Sequence, residues 1–371
     1  MGEKQKSLAY FFLALVIFVY FLYLPLSGQI KKEIELNDRR EQAQEIRPGE
    51  KIEAGIQENN DEDWFKLVVD KSGKNYLRVE VSGVPGIDIS VYIYNSSGER
   101  LTEIDDAPKN EPESVNYFVV EPASYFIRVY GSGKATTEKY FLATMITGPW
   151  QEGWEAEPNN SRNNANELSL EKNINGYFQQ KNDYDWFKLI NDRPGKSLVQ
   201  IDLSAVAGVD SKINLYNEKG NRIWSADEAE KDGPEFVFNL SLETGIYYLE
   251  VFAREINIKS PYILSTKVLG SWQEGLEAEP NNSRETTTEI RLGQTIKGCY
   301  QFNGDEDYYK LVIDRPGKNL IQVDLSAVPD ADGRVEILDR EGRRLWDVND
   351  SYKGEPETVP YFTVSEGIYF I

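Results

Sequence analysis

The sequence predicts an all-β protein in which tandem antiparallel β-sandwich domains follow an N-terminal transmembrane helix. Three observations lead to this prediction. A set of polar and aromatic motifs recurs at a fixed spacing, and each recurring unit consists of short strand-like segments separated by turn residues. The first 28 residues, finally, contain one long, uncharged apolar run.

The repeat sets the domain organisation. DEDWFKLV begins at Asp61, DYDWFKLI at Asp183 and DEDYYKLV at Asp305, a spacing of 122 residues both times. Equal spacing without net insertion indicates three copies of one fold. We therefore predict an N-terminal signal anchor over residues 1–28 and β-sandwich domains over residues 33–149, 155–271 and 277–371.

Short strands account for most of the second copy. Its segments rich in Val, Ile, Tyr and Phe are INGYFQQ, DWFKLI, SLVQIDLS, SKINLYN, PEFVFNL, IYYLEVF and PYILSTK. Turn sequences such as NEKGN, RPGK and KDGP separate them, a pattern typical of an antiparallel sandwich. Alternation along DWFKLI predicts that one aromatic residue of each pair packs inward. The third copy stops before its closing strand, and we expect the natural chain to continue beyond Ile371.

The apolar run extends from Leu8 to Leu26 and follows Lys4 and Lys6. As a helix it would be about 28 Å long, enough to cross a bilayer. Cleavage after Ser27 or after Gly28 would place Pro25 or Leu26 at the third residue before the cut, where a small residue is typical. We therefore expect an uncleaved single-pass membrane anchor with the bulk of the chain outside the cytoplasm, or a secreted protein if the segment is cleaved.

Composition excludes several function classes. The net charge is −21, from 62 acidic and 41 basic residues, which disfavours nucleic acid as a partner and favours cations. The chain has no histidine, so it has neither a histidine-dependent catalytic triad nor the usual zinc ligands. Its one cysteine, Cys299, cannot form an intramolecular disulfide. We predict no enzyme activity within these residues.

Each copy carries two clusters of oxygen-bearing side chains. One is a loop with the pattern Glu, any residue, Glu, any residue, Asn, Asn or Asp; the other is a pair of Asp residues before the aromatic pair. Six hard oxygen ligands would suit one calcium ion per copy, whereas a solvated acidic loop or turn caps would explain the same residues without an ion. The candidate ligands are Glu33, Glu35, Asn37, Asp38, Asp61 and Asp63; Glu155, Glu157, Asn159, Asn160, Asp183 and Asp185; and Glu277, Glu279, Asn281, Asn282, Asp305 and Asp307.

Several of these motifs resemble a known family. EPNNS, an Ile-Gly strand (INGYF in copy two and IKGCY in copy three), Asp before an aromatic pair and a closing GIYYLEV are similar to the bacterial pre-peptidase C-terminal domain. The resemblance implies three copies of an extracytoplasmic, jelly-roll-like sandwich similar to the collagen-binding domains of collagenases. In those domains the corresponding Glu, Asn and Asp residues bind calcium. Gly304 replaces Asn60 and Asn182 near the acidic pair, so we expect weaker binding in the third copy.

Two functions follow as hypotheses. The first is a membrane-anchored, extracytoplasmic array of calcium-stabilised modules that binds surface or matrix polymers, either protein or polysaccharide, or tethers another domain. Three weak modules on one chain would gain avidity. The second is the accessory N-terminal portion of a secreted peptidase whose catalytic domain lies beyond residue 371.

Overall fold

The computed structural model describes residues 30–371 as an all-β protein. These residues form 24 strands and two short 3-10 helices, Arg40–Gln42 and Arg162–Asn164, and no α-helix. They divide into two compact units, one containing residues 30–158 and 179–181 and the other containing residues 159–178 and 182–371. The predicted all-β class is therefore confirmed, whereas the boundaries of three separate domains stay a prediction.

The first unit contains the first copy of the repeat and has two five-stranded sheets. Their orders are β1-β3-β10-β5-β8 and β2-β4-β9-β6-β7. Side chains from both sheets, among them Ile52, Phe65 and Ile127, meet in one buried core. The strands are β1 (Ile30–Lys32), β2 (Gln44–Ile46), β3 (Lys51–Gly55), β4 (Asp61–Val69), β5 (Asn75–Val81), β6 (Asp88–Tyr94), β7 (Arg100–Ile104), β8 (Glu113–Val120), β9 (Ala123–Ser132) and β10 (Lys139–Pro149).

The second unit contains copy three and most of copy two, without residues 155–158 and 179–181. Copy two has a five-stranded sheet, β11-β13-β18-β15-β16, and a four-stranded sheet, β12-β19-β14-β17, which share a core. Copy three has one sheet, β20-β21-β24-β22-β23. The strands are β11 (Asn166–Ser169), β12 (Asn173–Phe178), β13 (Asp183–Asn191), β14 (Ser197–Leu203), β15 (Ser211–Asn217), β16 (Arg222–Ala226), β17 (Glu235–Leu242), β18 (Gly245–Ala253), β19 (Asn257–Ser271), β20 (Thr288–Ile290), β21 (Tyr309–Leu325), β22 (Val335–Asp339), β23 (Arg344–Val348) and β24 (Glu357–Phe370).

The strand register follows the sequence repeat. Lys66 pairs with Phe126 in copy one, Lys188 with Tyr248 in copy two and Lys310 with Phe370 in copy three. Each pair is displaced from the previous one by the same 122 residues that separate the motifs. The three copies therefore share the central antiparallel pair of strands, as the repeat predicts.

Alternation along β4 places its acidic residues on the core side. Residues at every second position of this strand are buried, from Asp61 and Asp63 to Phe65 and Leu67, while Trp64 is only partly buried. The predicted inward packing of one aromatic residue is confirmed by Phe65 and by Phe187, which are both fully buried. The same geometry gives Asp63 a buried position at the end of the core, where a carboxylate needs a polar partner.

Copy three differs from the other two in its second layer. The predicted strand in IKGCY, residues 296–300, does not form, and this segment has only an isolated bridge between Leu276 and Lys297. In copies one and two the equivalent strands, β3 and β12, pair with β10 and β19. No strand of residues 30–371 offers that pairing in copy three, so its backbone groups lack the ladder that would hold the segment extended.

The predicted membrane anchor, residues 1–28, lies outside the described residues. Within residues 30–371 no helix is long and apolar enough to cross a membrane. The predicted single-pass membrane location is therefore wrong for the part of the chain that the structure describes.

Candidate metal centres

A backbone hydrogen bond joins the two acidic segments of each copy. The segments are the oxygen-rich loops, residues 33–38, 155–160 and 277–282, and the strand starts that carry the Asp pairs. The carbonyl of Asn37 accepts the N–H of Trp64 at 2.9 Å, and the equivalent pairs are Asn159 with Trp186 at 2.9 Å and Asn281 with Tyr308 at 2.8 Å. This bond places Asn37, Asn159 and Asn281 each beside the Asp pair of its own copy, a proximity that spacing alone does not predict.

Three carboxylates converge in the first copy. One oxygen each of Glu33, Glu35 and Asp63 lie within 4.8 Å of one another. The Gly55 N–H donates to Glu33 Oε2 at 3.1 Å and fixes that side chain on the edge of β3. Gln57 Nε2 donates to Glu33 and Glu35. Within residues 30–371 no lysine or arginine forms an ion pair with any of the three.

Two buried oxygens at this cluster have no hydrogen-bond partner. They are Asn37 Oδ1 and Asp63 Oδ1, and both residues are 0% exposed. The other side-chain atoms are used: Asn37 Nδ2 donates to Glu33 Oε1 at 3.1 Å, and the Tyr140 hydroxyl donates to Asp63 Oδ2 at 2.6 Å. An unpartnered buried oxygen is costly, so the arrangement fits a cation that both oxygens would coordinate.

Three carboxyl groups of the first copy, those of Asp63, Glu35 and Asp61, have raised pKa values. Burial, reinforced by Glu33, raises the pKa of Asp63 to about 10. Burial and then the charge of Glu33 raise the pKa of Glu35, and burial raises that of Asp61. Carboxylates crowded together without a basic partner favour either a bound proton or a bound cation.

The remaining two candidates of copy one have different surroundings. Asp61 accepts the N–H groups of Gln57 and Glu62 and so anchors the turn before β4. Asp38 is half-buried and acts on Glu35 through its charge. Neither belongs to the close group of three carboxylates. Asp61 therefore fits the turn-anchoring interpretation of the acidic residues.

The third copy repeats the cluster. Oxygens of Glu277, Glu279 and Asp307 lie within 4.8 Å of one another. The Cys299 N–H donates to Glu277 Oε2 at 2.9 Å, as Gly55 does to Glu33, and the Asn281 N–H donates to Glu279 Oε2 at 2.8 Å. Buried oxygens without a hydrogen-bond partner are again present: Glu279 Oε1, Asn281 Oδ1, Asn282 Oδ1 and Asp307 Oδ1.

Crowding shifts the acids of the third copy in the same direction. Burial and the charge of Asp307 raise the pKa of Glu277 to about 7. Burial raises the pKa of Glu279 to about 8, with a further contribution from Glu277. Burial and Asp305 raise the pKa of Asp307 to about 6. Asp305 itself anchors a turn, since it accepts the Gln301 N–H at 2.7 Å and Asn282 Nδ2 at 3.2 Å.

The six candidates of the middle copy are divided between the two compact units. Glu155 and Glu157 belong to the first unit and are buried; Gln179 Nε2 donates to Glu155 Oε1 at 3.2 Å. The other four, Asn159, Asn160, Asp183 and Asp185, belong to the second unit. There the Tyr262 hydroxyl donates to Asp185 Oδ2 at 2.7 Å, the counterpart of the bond from Tyr140 to Asp63.

Sequence reasoning missed an arginine that follows each loop. The guanidinium carbon of Arg40 lies 5.5 Å from the ring centre of Phe126, that of Arg162 4.2 Å from Tyr248 and that of Arg284 5.8 Å from Phe370. These cation–π contacts hold the end of each loop against the sheet. The 122-residue repeat could have identified them, because all three arginines and all three rings occupy equivalent positions.

The atoms that could coordinate a metal in these clusters are carboxylate and amide oxygens. Such hard ligands suit Ca²⁺ or Mg²⁺ rather than metals that prefer nitrogen or sulfur. The unpartnered buried oxygens of Asn37, Asp63 and Glu279 supply the independent sign that the clusters fit a cation.

Part of the first copy matches a known family. Residues 61–131 match the family model of the bacterial pre-peptidase C-terminal domain. The match indicates an extracellular or peptidase-associated β-domain. It covers β4 to β9 of copy one, so the relation of copies two and three to this family, and the similarity to collagenase domains, stay predictions. No curated protein matches the sequence significantly.

Three of the solved structures that are similar to this chain are distant likenesses. Lac15 from a marine microbial metagenome is 13% identical with a TM-score of 0.16; the match covers 58% of this chain and 53% of Lac15, about half of its length. The fucolectin of striped bass (Morone saxatilis) serum is 12% identical over 60% of this chain and 86% of the lectin, with a TM-score of 0.18. A Paenibacillus cycloisomaltooligosaccharide glucanotransferase is 12% identical over 53% of this chain and 41% of the enzyme, also with a TM-score of 0.18. TM-scores this low carry no functional argument.

Proposed function

We propose that the chain is an array of tandem calcium-stabilised β-sandwich modules of the pre-peptidase C-terminal type, which bind extracellular protein or polysaccharide or tether another domain. Each module holds one calcium ion where its oxygen-rich loop meets its Asp pair. The family match of residues 61–131 supports the module type, and the two core-sharing sheets of copies one and two support the sandwich.

One observation carries the calcium assignment. In copy one, Asn37 Oδ1 and Asp63 Oδ1 are buried without a hydrogen-bond partner beside Glu33 and Glu35. Oxygens bound to one calcium ion at about 2.4 Å lie at most about 4.8 Å apart, and the carboxylate oxygens of this cluster meet that limit.

Bound calcium would act structurally. It would balance the charge of three crowded carboxylates that no basic side chain of residues 30–371 neutralises, and it would tie residues 33–38 to the start of β4. The residues that would hold the ion are Glu33, Glu35, Asn37 and Asp63 in copy one, and Glu277, Glu279, Asn281 and Asp307 in copy three. Asp38 and Asp305 add negative charge to these ligands, and Asp61 and Asp305 anchor turns. Asn282 donates to Asp305 and has an unpartnered buried Oδ1.

Calorimetric titration of the purified chain with calcium tests the proposal. We expect three bound ions per chain and a stability gain of roughly 2.7 kcal/mol per site at about 100 times the dissociation constant. Absence of binding at millimolar calcium, together with identical melting curves in calcium and in chelator, would overturn the proposal.

Asp63→Asn is the sharpest variant. The amide retains an acceptor for Tyr140 but removes a ligand charge, so we expect loss of the copy-one ion. Stability in chelator should not fall, because the substitution also removes a crowded buried acid. Asp70→Asn is the matched control, since Asp70 follows the far end of β4 and its side chain is exposed. Equal calcium binding by both variants would refute the assignment of Asp63.

A second candidate function is an accessory domain of a peptidase. The family match favours it, because the family is described as a pre-peptidase domain. We propose that residues 1–371, which contain no histidine, do not themselves catalyse hydrolysis. The coding sequence downstream of residue 371 distinguishes the candidates: a peptidase motif there would favour the accessory role over an independent binding array.

A further inference from the structure

The second unit contains a cavity that is separate from the metal centres. It has a volume of about 260 Å³ and lies where the turn between β16 and β17 of copy two faces residues 301 and 302 of copy three. Its apolar walls are formed by Trp224, Ala226, Pro234, Phe236 and Phe302. The cavity is large enough for one long side chain or a small organic molecule, since a water molecule has a share of about 30 Å³ in the liquid.

The three rings of the walls are held in different ways. Trp224 is 8% exposed and belongs to the core of copy two, and Phe302 packs against that same core from copy three. Phe236 lies on β17 and is 54% exposed. Two rings are therefore fixed by packing, while the third offers its surface to a ligand.

The polar part of the cavity lining is acidic. Glu228 and Glu235 are its charged residues, and no lysine or arginine lines the cavity. Glu235 is buried and accepts the N–H groups of Glu228 and Ala229 at 3.1 and 2.9 Å, so its charge also holds the turn. The Glu228 side chain is exposed and forms no ion pair within residues 30–371, which leaves its carboxylate available to a ligand.

We propose that this cavity binds an arginine side chain of a polypeptide partner. Aromatic faces attract cations, and a planar guanidinium stacks on them while it donates hydrogen bonds to a carboxylate. An anionic group would be repelled by Glu228 and Glu235, and a neutral sugar would donate hydrogen bonds to them without balancing their charge. The charge of the lining thus selects a basic ligand, and its flat rings favour arginine over lysine.

Labelling of the full chain with 5-fluorotryptophan gives a direct test. The chain has seven tryptophans, and Trp224→Phe identifies the resonance of the cavity. The probe is Nα-acetyl-arginine amide, and its neutral counterpart is Nα-acetyl-citrulline amide, which has nearly the same shape. We expect the arginine probe to shift the Trp224 resonance saturably at millimolar concentration and the citrulline probe to bind at least about tenfold more weakly, because the charge is absent.

Two conservative variants test the contacts. Phe236→Leu keeps an apolar side chain but removes the ring, and Glu228→Gln removes the free charge. Each variant should lower the affinity for the arginine probe by about two- to fivefold. Phe238→Leu and Glu230→Gln are the controls, because Phe238 is 37% exposed on the same strand and Glu230 is exposed in the same turn, yet neither lines the cavity.

These binding measurements can either support or overturn the proposed arginine site. A saturable shift that depends on the charge of the probe and on Phe236 and Glu228, with unchanged affinity in the two controls, supports the proposal. Equal binding of the citrulline probe, an unmoved Trp224 resonance, or equal weakening in the control variants would overturn it. Melting curves of all five variants, including Trp224→Phe, verify that they are folded.

Discussion

Tyr140 and Asp63 are 77 residues apart in sequence and are joined by a buried hydrogen bond of 2.6 Å. Because the tyrosine hydroxyl binds Oδ2, only Oδ1 of Asp63 is left to face Glu33 and Glu35. Tyr262 and Asp185 repeat this arrangement in copy two at 2.7 Å. A single hydroxyl from the opposite sheet therefore determines which carboxylate oxygen is presented to a cation.

Removal of this hydroxyl should weaken the first unit. Tyr140→Phe leaves Asp63 Oδ2 buried without its donor, and we expect a loss of about 1–3 kcal/mol in the free energy of unfolding. Urea denaturation in chelator measures the loss. Calcium stoichiometry should stay the same, because Oδ1 and the two Glu residues are retained. A variant as stable as the unmodified protein would show that this bond contributes little.

The three proposed calcium ions should bind with unequal affinity. In copy three Gly304 stands where copies one and two have Asn60 and Asn182, and within residues 30–371 no tyrosine hydroxyl donates to Asp307. Asp307→Asn should therefore remove the weakest step of the calcium titration, whereas Asp63→Asn should remove a tighter one. Loss of the tightest step in Asp307→Asn would contradict this ranking.

Glu113 predicts a pH dependence of stability. It is buried, its carboxylate accepts the Ala107 N–H at 2.7 Å, and burial raises its pKa from an ordinary 4.5 to about 7. Between these values the unfolded chain has released the proton that the folded chain still holds. The contribution of Glu113 to stability is therefore present below pH 4.5 and is lost as the pH rises to about 7.

The variant Glu113→Gln isolates this effect. It should gain on the order of 1–3 kcal/mol relative to the unmodified protein between the two ends of that pH range, as measured by urea denaturation at each pH. Glu121→Gln, at an exposed turn position, should show no such trend. A pH-independent difference for Glu113→Gln would mean that its carboxyl group titrates normally.

Gly220 provides room for the arginine contact of copy two. Its φ is +86°, and an added Cβ would lie 2.6 Å from Arg162 Nη1. We expect Gly220→Ala to cost about 1–2 kcal/mol from backbone conformation, plus a steric contribution. Measured against Arg162→Ala alone, Gly220→Ala should cost only the backbone part, because the side chain that it would meet is gone. Strictly additive losses in this double-mutant cycle would exclude the steric contact.

The fold class could be predicted because strand signals are local. All seven segments singled out in copy two became strands, namely β12 to β15 and β17 to β19, whereas β16 was not predicted. The short parallel strands β2, β11 and β20 were missed, since three or four residues carry too little periodicity. For IKGCY a strand was predicted that does not form. Its sequence is typical of a strand, but residues 30–371 contain no strand with which it could pair.

The candidate site was predictable in composition but not in geometry. Strand alternation could show that Asp61 and Asp63 share the core face with Phe65. It could not show that Asp61 anchors a turn while Asp63 joins the cluster, because that difference depends on the Gln57 N–H and the Tyr140 hydroxyl, which arrive from other parts of the chain. The predicted membrane location was argued only from the apolar run that ends at Leu26, which lies outside residues 30–371. Within residues 30–371 it was wrong, because no helix there is long and apolar enough to cross a membrane.

The hydrogen bond from Tyr308 N–H to the Asn281 carbonyl, like its counterparts in the other copies, is made by backbone atoms that need no ion. The loop is consequently preorganised, and the entropic cost of ordering it is incurred when the chain folds rather than when calcium arrives. Calcium should then associate quickly and alter the circular dichroism spectrum little. The ion would stabilise a loop that is already in its final conformation and would not cause a conformational change.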